Sequence, residues 1–138
     1  YNGACLRFYS VGEHSCYVSD LCTPANRLWG LLHDASEAWI ADIVKPRKPY
    51  MGNYKEQEEE LMRAVCGAFG LPVTMPDEVH YWDQRIVINE RAQNMAPSKI
   101  PWTTYTEYLA IPDLRINCWT PQRARYEFMY RFMKLYRP

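Results

Sequence analysis

Apolar residues in this chain recur at helical rather than alternating spacing. Leu28, Leu31, Leu32, Ala35 and Trp39 follow the i, i+3, i+4 rule and form one stripe, with Thr23-Pro24 upstream as an N-cap and first-turn proline. Leu61, Ala64, Val65 and Ala68 form a second stripe, ended by Gly70. Val79, Trp82, Ile86 and Val87 form a third, with Pro76 and Asp77 in its first turn. Ala124, Phe128, Phe132 and Leu135 form a fourth, which starts after Thr120-Pro121. A weaker pattern from Val11 to Cys22 predicts a fifth helix. Gly and Pro gather between these runs, at Lys45–Gly52, Gly70–Pro76 and Pro97–Pro121. The stretch from Ser98 to Asn117 reads as a long loop that could hold a short helix, and long ordered loops are often functional or packed over a site. No convincing strand pair appears, so the expected class is all-α, as one domain over residues 1–138.

Composition narrows the function classes. At 138 residues, 48 % hydrophobic and 23 % charged, the chain has enough apolar surface for one core and is not disordered wholesale. Sixteen basic residues balance sixteen acidic ones. That argues against a strongly electrostatic binder of a nucleic-acid polymer or an anionic membrane, while leaving a local basic patch open. Apolar runs of only a few residues cannot span a bilayer. The opening Tyr-Asn-Gly-Ala-Cys has neither basic leader nor apolar signal core. Cys5, Cys16, Cys22, Cys66 and Cys118 are odd in number and lack a close CxxC pair, which points to free thiols in a reducing cytoplasm.

The chemistry-bearing residues are few. His14, His33 and His80 are the three histidines. His33 is followed by Asp34 on a helix whose apolar stripe is already supplied by leucines, and Glu37 lies within one turn of both. Asp42 follows at the helix end. On the third helix Asp83 sits between Trp82 and Ile86, with Glu90 two turns further along the same face. Imidazoles and carboxylates drawn from several helices suit a borderline-hard divalent metal held inside a bundle. Plainer readings stand beside this one: His80 as a surface or satisfied core residue, Asp83 as a buried hydrogen-bonded carboxylate, and Glu58-Glu59-Glu60 as a solvated helix face.

The order His14, then His33-Asp34, then a distant Asp83 resembles the HD-domain phosphohydrolases. Phe8–Ser15, reading FYSVGEHS, is similar to the FYSVAEHS pattern of the phage and bacterial branch. Leu32–Ala38 resembles its LHDASEA block, and Asp42-Ile43 with Pro46-Arg47-Lys48 resembles its D-I-x-x-P-x-K continuation. Asp83-Gln84-Arg85 with Glu90-Arg91-Ala92 is similar to the branch's D-R and E-A block, and Trp119-Thr120-Pro121 also has a counterpart there. The branch includes 5′-deoxynucleotidases and phage dATP triphosphohydrolases. Gly12 stands where the pattern has Ala. Tyr1-Asn2-Gly3 looks like the tail of an R-[FYW]-x-G segment, so an upstream helix carrying a phosphate-contacting arginine is expected to be missing from the sequence.

The resemblance implies a compact helical HD-domain bundle in which His14, His33, Asp34 and Asp83 bind a divalent metal ion (Mn, Co, Fe, Mg or Zn). It implies that Glu37 positions or deprotonates the attacking water, and that Asp42 assists proton transfer or holds the sugar. Lys48 and Lys45 would neutralise phosphate oxygens, and Tyr1 would pack on the base or sugar. The implied substrate is a small deoxynucleotide cleaved at its 5′ phosphate ester. It would be a dNTP, dATP foremost, releasing triphosphate, or alternatively a dNMP releasing phosphate. A non-catalytic nucleotide-binding module on the same scaffold is the reading of another class. Relatives of this kind are dimers or larger, so a homo-oligomer in the cytoplasm, in a host cell if the protein is phage-encoded, is implied too.

Overall fold

The computed structural model describes residues 4–99 and 107–137. Among these residues six α-helices follow in order: α1 (Val11–Leu21), α2 (Arg27–Leu32), α3 (Glu37–Ile40), α4 (Tyr54–Phe69), α5 (Asp77–Asn94) and α6 (Pro121–Leu135). A 3-10 turn at Lys45–Tyr50 links α3 to α4. No strand forms among the described residues, where Cys5 and Met95 make one isolated bridge. The class is all-α, as the apolar spacing predicts.

Local chemistry sets the helix ends. Ser10 caps α1 by accepting the Glu13 N–H at 3.0 Å, and Thr120 caps α6 by accepting that of Arg123 at 3.3 Å, with Pro121 at the first helical position. Gly70 stops α4 in the left-handed region at φ +66°, where a side chain would be strained.

Helix α1 is the centre of the molecule: it is buried from Glu13 to Ser19 and packs against α2, α5 and α6. Tyr17, Val18, Trp29, Cys66, Val79 and Ile86 join Ile111 and Ile116 of the long loop in one core. The α1–α2 crossing is tight because Gly30 has no side chain. A Cβ there would meet the Ser19 backbone at 3.2 and 3.3 Å and the Cys22 sulfur at 3.1 Å. On the other side Arg131 of α6 grips both oxygens of Asp20 at 2.7 and 3.0 Å.

Four expectations change on folding. The single helix expected through Leu28–Trp39 breaks at His33–Ser36, where Ala35 and Glu37 bond carbonyls only three residues back. The His33 side chain takes the Gly30 carbonyl, the acceptor that the next α-helical turn would use. The tighter winding carries Trp39 off the stripe, leaving it 66 % exposed. Thr23 is not the N-cap of α2: its hydroxyl donates to Glu78 at 2.7 Å, so α5 claims it. On α4, Ala64 and Ala68 face solvent, while Tyr54, Val65 and Cys66 are buried.

The long loop shows no helix in its described part. It runs along α5 instead, held by side-chain amides. Asn89 exchanges two hydrogen bonds with the Ile111 backbone at 2.7 and 2.9 Å, and Gln93 bonds Leu114 and Ile116 at 2.8 and 2.9 Å. These amides supply the partners a neighbouring strand would otherwise provide.

Candidate metal centre

Two helices and a turn bring the predicted ligands to one place. α1 contributes His14, the turn after α2 contributes His33 and Asp34, and α5 contributes Asp83. One ligand atom from each of His14, His33 and Asp83 lies within 4.8 Å of the others. His14 Nε2 is 3.2 Å from both His33 Nε2 and Asp83 Oδ1, and His33 Nε2 is 3.6 Å from that same Asp83 oxygen. Asp34 Oδ2 approaches the two imidazole nitrogens at 3.3 and 3.8 Å.

The rings are aimed by their other nitrogens. His14 Nδ1 lies 2.7 Å from Glu90 Oε1, and His33 Nδ1 lies 2.8 Å from the Gly30 carbonyl. A carbonyl only accepts, and so does an ionised carboxylate, so each Nδ1 carries the hydrogen. In the neutral form that a bound cation requires, both Nε2 lone pairs then face Asp83 Oδ1, with Asp34 Oδ2 beside them. Imidazole nitrogens so oriented, with a carboxylate oxygen of Asp83 in the same cluster, form a donor set able to hold a metal ion. The residues therefore fit the ion their order implies.

The electrostatics agree. Burial disfavours a charged His33, yet the neighbouring charge of Asp34 and the hydrogen bonds to Asp34 and Asp83 outweigh it and raise the ring to about 10. Burial likewise opposes a charged His14, but Glu90 and Asp83 hold it well above its ordinary value. Asp83 is driven far below the usual carboxylate range, against burial, by hydrogen bonds from His14 and His33. Asp34 is lowered in the same sense, chiefly by His33. The pocket thus selects for positive charge, which protons supply when no cation is bound.

The remaining predicted residues fall in three groups. Glu37, at the start of α3, is pushed up to about 8 by burial and by the charges of Asp34 and Asp42, so it borders the centre. Asp42, just past α3, is near enough to act on both Glu37 and Lys48. Lys48 lies in the 3-10 turn, its Nζ 3.0 Å from Glu58 and 5.5 Å from the centre of the Tyr54 ring. Tyr1 and the Lys45 side chain lie outside what the structure describes. His80 is exposed, as the surface reading held.

Two buried carboxylates take roles not assigned to them from the sequence. Glu90, on the same face as Asp83, does not join the converging oxygens. It is buried, orients His14 and accepts the Tyr9 hydroxyl at 2.6 Å. Glu13, next to His14 in sequence, is buried too. It gathers the Tyr17 hydroxyl and the backbone N–H groups of Asn117, Cys118 and Trp119 at 2.6–3.1 Å. Cys118 adopts φ +58°, within the stretch whose three successive N–H groups face one carboxylate. The signal that could have flagged both was an acidic residue inside an otherwise apolar helical face.

No model of a known protein family matches the chain. It is 30 % identical over 133 residues to the uncharacterized protein YfdR of Escherichia coli K12, a match spanning 96 % of this chain and 75 % of that protein. An uncharacterized protein of Rhodobacter capsulatus is 42 % identical over 76 residues, covering 49 % of this chain and 39 % of that protein. The chain belongs to the YfdR family.

Proposed function

We propose that this member of the YfdR family is a metal-dependent phosphohydrolase of the HD-domain type. In this reading it cleaves the 5′ phosphate ester of a deoxynucleotide, with dATP as first candidate, to give deoxynucleoside and triphosphate. The observation that carries the proposal is the cluster of two Nδ1-anchored imidazoles with Asp83, flanked by Asp34 and by a carboxyl raised to about 8.

His14, His33, Asp34 and Asp83 would hold the divalent ion. Such an ion supplies the positive charge that eases ionisation of water and polarises a phosphoryl oxygen. Glu37 is a carboxyl that exchanges a proton near neutral pH, so its side-chain oxygen can take the proton of the attacking water. Asp42 helps keep that proton on Glu37 and is the candidate to pass it on or to hold the sugar. Lys48 offers its ammonium to phosphate oxygens, since phosphoryl transfer chiefly needs positioning and charge neutralisation.

One observation favours a second reading, a 5′-deoxynucleotidase acting on dNMP. Lys48 already carries a carboxylate partner, Glu58, which reduces the charge available to a longer phosphate chain. Incubation with Mn or Co and a panel of dNTPs, dNMPs and ribonucleotides, followed by product separation, tests both. Triphosphate from dATP supports the first, and orthophosphate from dNMPs alone supports the second. No turnover with any metal overturns both and leaves a nucleotide-binding module.

A further inference from the structure

The three glutamates Glu58-Glu59-Glu60 look alike in sequence but not in the fold. Glu59 pairs with Lys55 one turn earlier on the same helix, its side chain 61 % exposed, as a solvated helical pair does. Glu60 is exposed. Glu58 differs: its side chain is 27 % exposed and reaches off α4 to Lys48, ten residues earlier in the linking turn. Tyr54, one turn before Glu58, is buried beneath the same ammonium, and its hydroxyl donates to the Ala41 carbonyl at 2.7 Å. Tyr54 therefore ties α4 to the residue preceding Asp42, and Glu58 ties α4 to Lys48. The helix face expected to be merely solvated thus reaches the segment that carries Asp42 and Lys48.

The chain orders these groups. Helix α3 begins at Glu37, three residues after Asp34, and its C-cap is Ala41, whose carbonyl accepts the hydroxyl of the Tyr54 ring that lies beneath Lys48. Lys48 thus stands towards the end of α3 away from Asp34. A single phosphate at the centre leaves the Lys48–Glu58 pair undisturbed, whereas a chain of phosphates can reach it.

Resting on the reading of this site as a phosphohydrolase centre, we propose that Glu58 is a specificity-determining positioning residue. It holds Lys48 in place over Tyr54 and acts as a resident counter-ion that an oligophosphate, but not a single phosphate, displaces. Removing its charge while keeping its shape strengthens binding only for ligands long enough to touch Lys48. The pair is half-exposed, so the gain is modest, about fivefold, in keeping with the worth of such ion pairs.

The test is calorimetric titration of inorganic tripolyphosphate and, separately, orthophosphate, with protein and titrant both saturated with Mg. Wild type, Glu58→Gln, Lys48→Ala and the double variant are compared, with thermal melts confirming that each folds. The expected result is tripolyphosphate bound about fivefold tighter by Glu58→Gln, with orthophosphate unchanged. The gain should vanish in the double variant. Equal tightening of both ligands, a gain that survives loss of Lys48, or no tripolyphosphate binding by either wild type or Glu58→Gln overturns the proposal. Nucleotide turnover is scored separately. Turnover of dATP with a negative titration removes only the role of Glu58. A positive titration with no turnover of any nucleotide removes the phosphohydrolase reading and leaves an oligophosphate site.

Discussion

On the imidazole side of the site, each ring is fixed by a buried acceptor: Glu90 for His14 and the Gly30 carbonyl for His33. On the lysine side, the Lys48 ammonium rests on one carboxylate, and the two side chains are 38 % and 27 % exposed. The first arrangement sits in a low-dielectric interior, where unpaired polar groups are costly and positions are therefore held closely. The second lies where water screens the pair and long side chains retain freedom. Metal-ligand geometry tolerates little displacement, whereas charge neutralisation of a flexible phosphate chain tolerates much. The two sides are built to the tolerance their proposed tasks allow.

If this contrast is right, substitutions on the two sides should differ greatly in size. His33→Ala is expected to strip the metal and lower hydrolysis by about a thousandfold or more, equivalent to the several kcal/mol that metal-ion charge stabilisation supplies. Metal content by elemental analysis and initial rates check this, and an unaltered metal content would break the imidazole half of the contrast. Glu90→Gln removes only the orienting charge and should weaken metal binding about 10- to 100-fold, read by competition with a chelator. Lys48→Ala in the same assay should leave metal affinity alone.

Gly30→Ala tests the crossing that brings His14 near His33. The added methyl meets the Ser19 backbone, which cannot swing aside, so urea unfolding should show a loss of about 1–3 kcal/mol. A neutral outcome would mean the two helices have slack there.

Acidity sharpens the contrast further. His33 is raised in the folded protein, so without metal its contribution to stability is present in full below the unfolded imidazole value, about 6.5. It fades as pH rises towards about 10. Metal competes with those protons. Its stabilising increment in thermal melts should therefore grow from pH 6 to pH 9, with proton release detectable in weakly buffered solution. The smallest effect belongs to the other side: Glu58→Ala should cost no more than about 1 kcal/mol of stability.

Much of the framework was legible in the chain. The α5 stripe turns inward where its spacing places it, and the α6 stripe turns the same way, with Ala124 buried and Phe128, Phe132 and Leu135 half-buried. A 3.6-residue repeat of apolar side chains has few ways to be covered other than on one helical face. The α4 stripe was read partly through Ala64 and Ala68, and small side chains say little about which face turns inward. The break after α2 was not legible, since it arises when the His33 ring takes a backbone carbonyl. His14, His33, Asp34 and Asp83 were named before folding, but Glu90 as the group that orients His14 was not. Its partner is 76 residues away in sequence.

The sequence by itself determined the helical class, the start of α6 at Thr120-Pro121, and the residue types able to hold a cation. These depend on local spacing and on interactions within a turn or two. Only the tertiary structure decided which imidazole nitrogen faces inward, that Glu13 serves the loop before α6 rather than the centre, and that one of three consecutive glutamates reaches Lys48. Each of those outcomes depends on which distant partner satisfies a buried or half-buried polar group, and that choice exists only once the helices have packed.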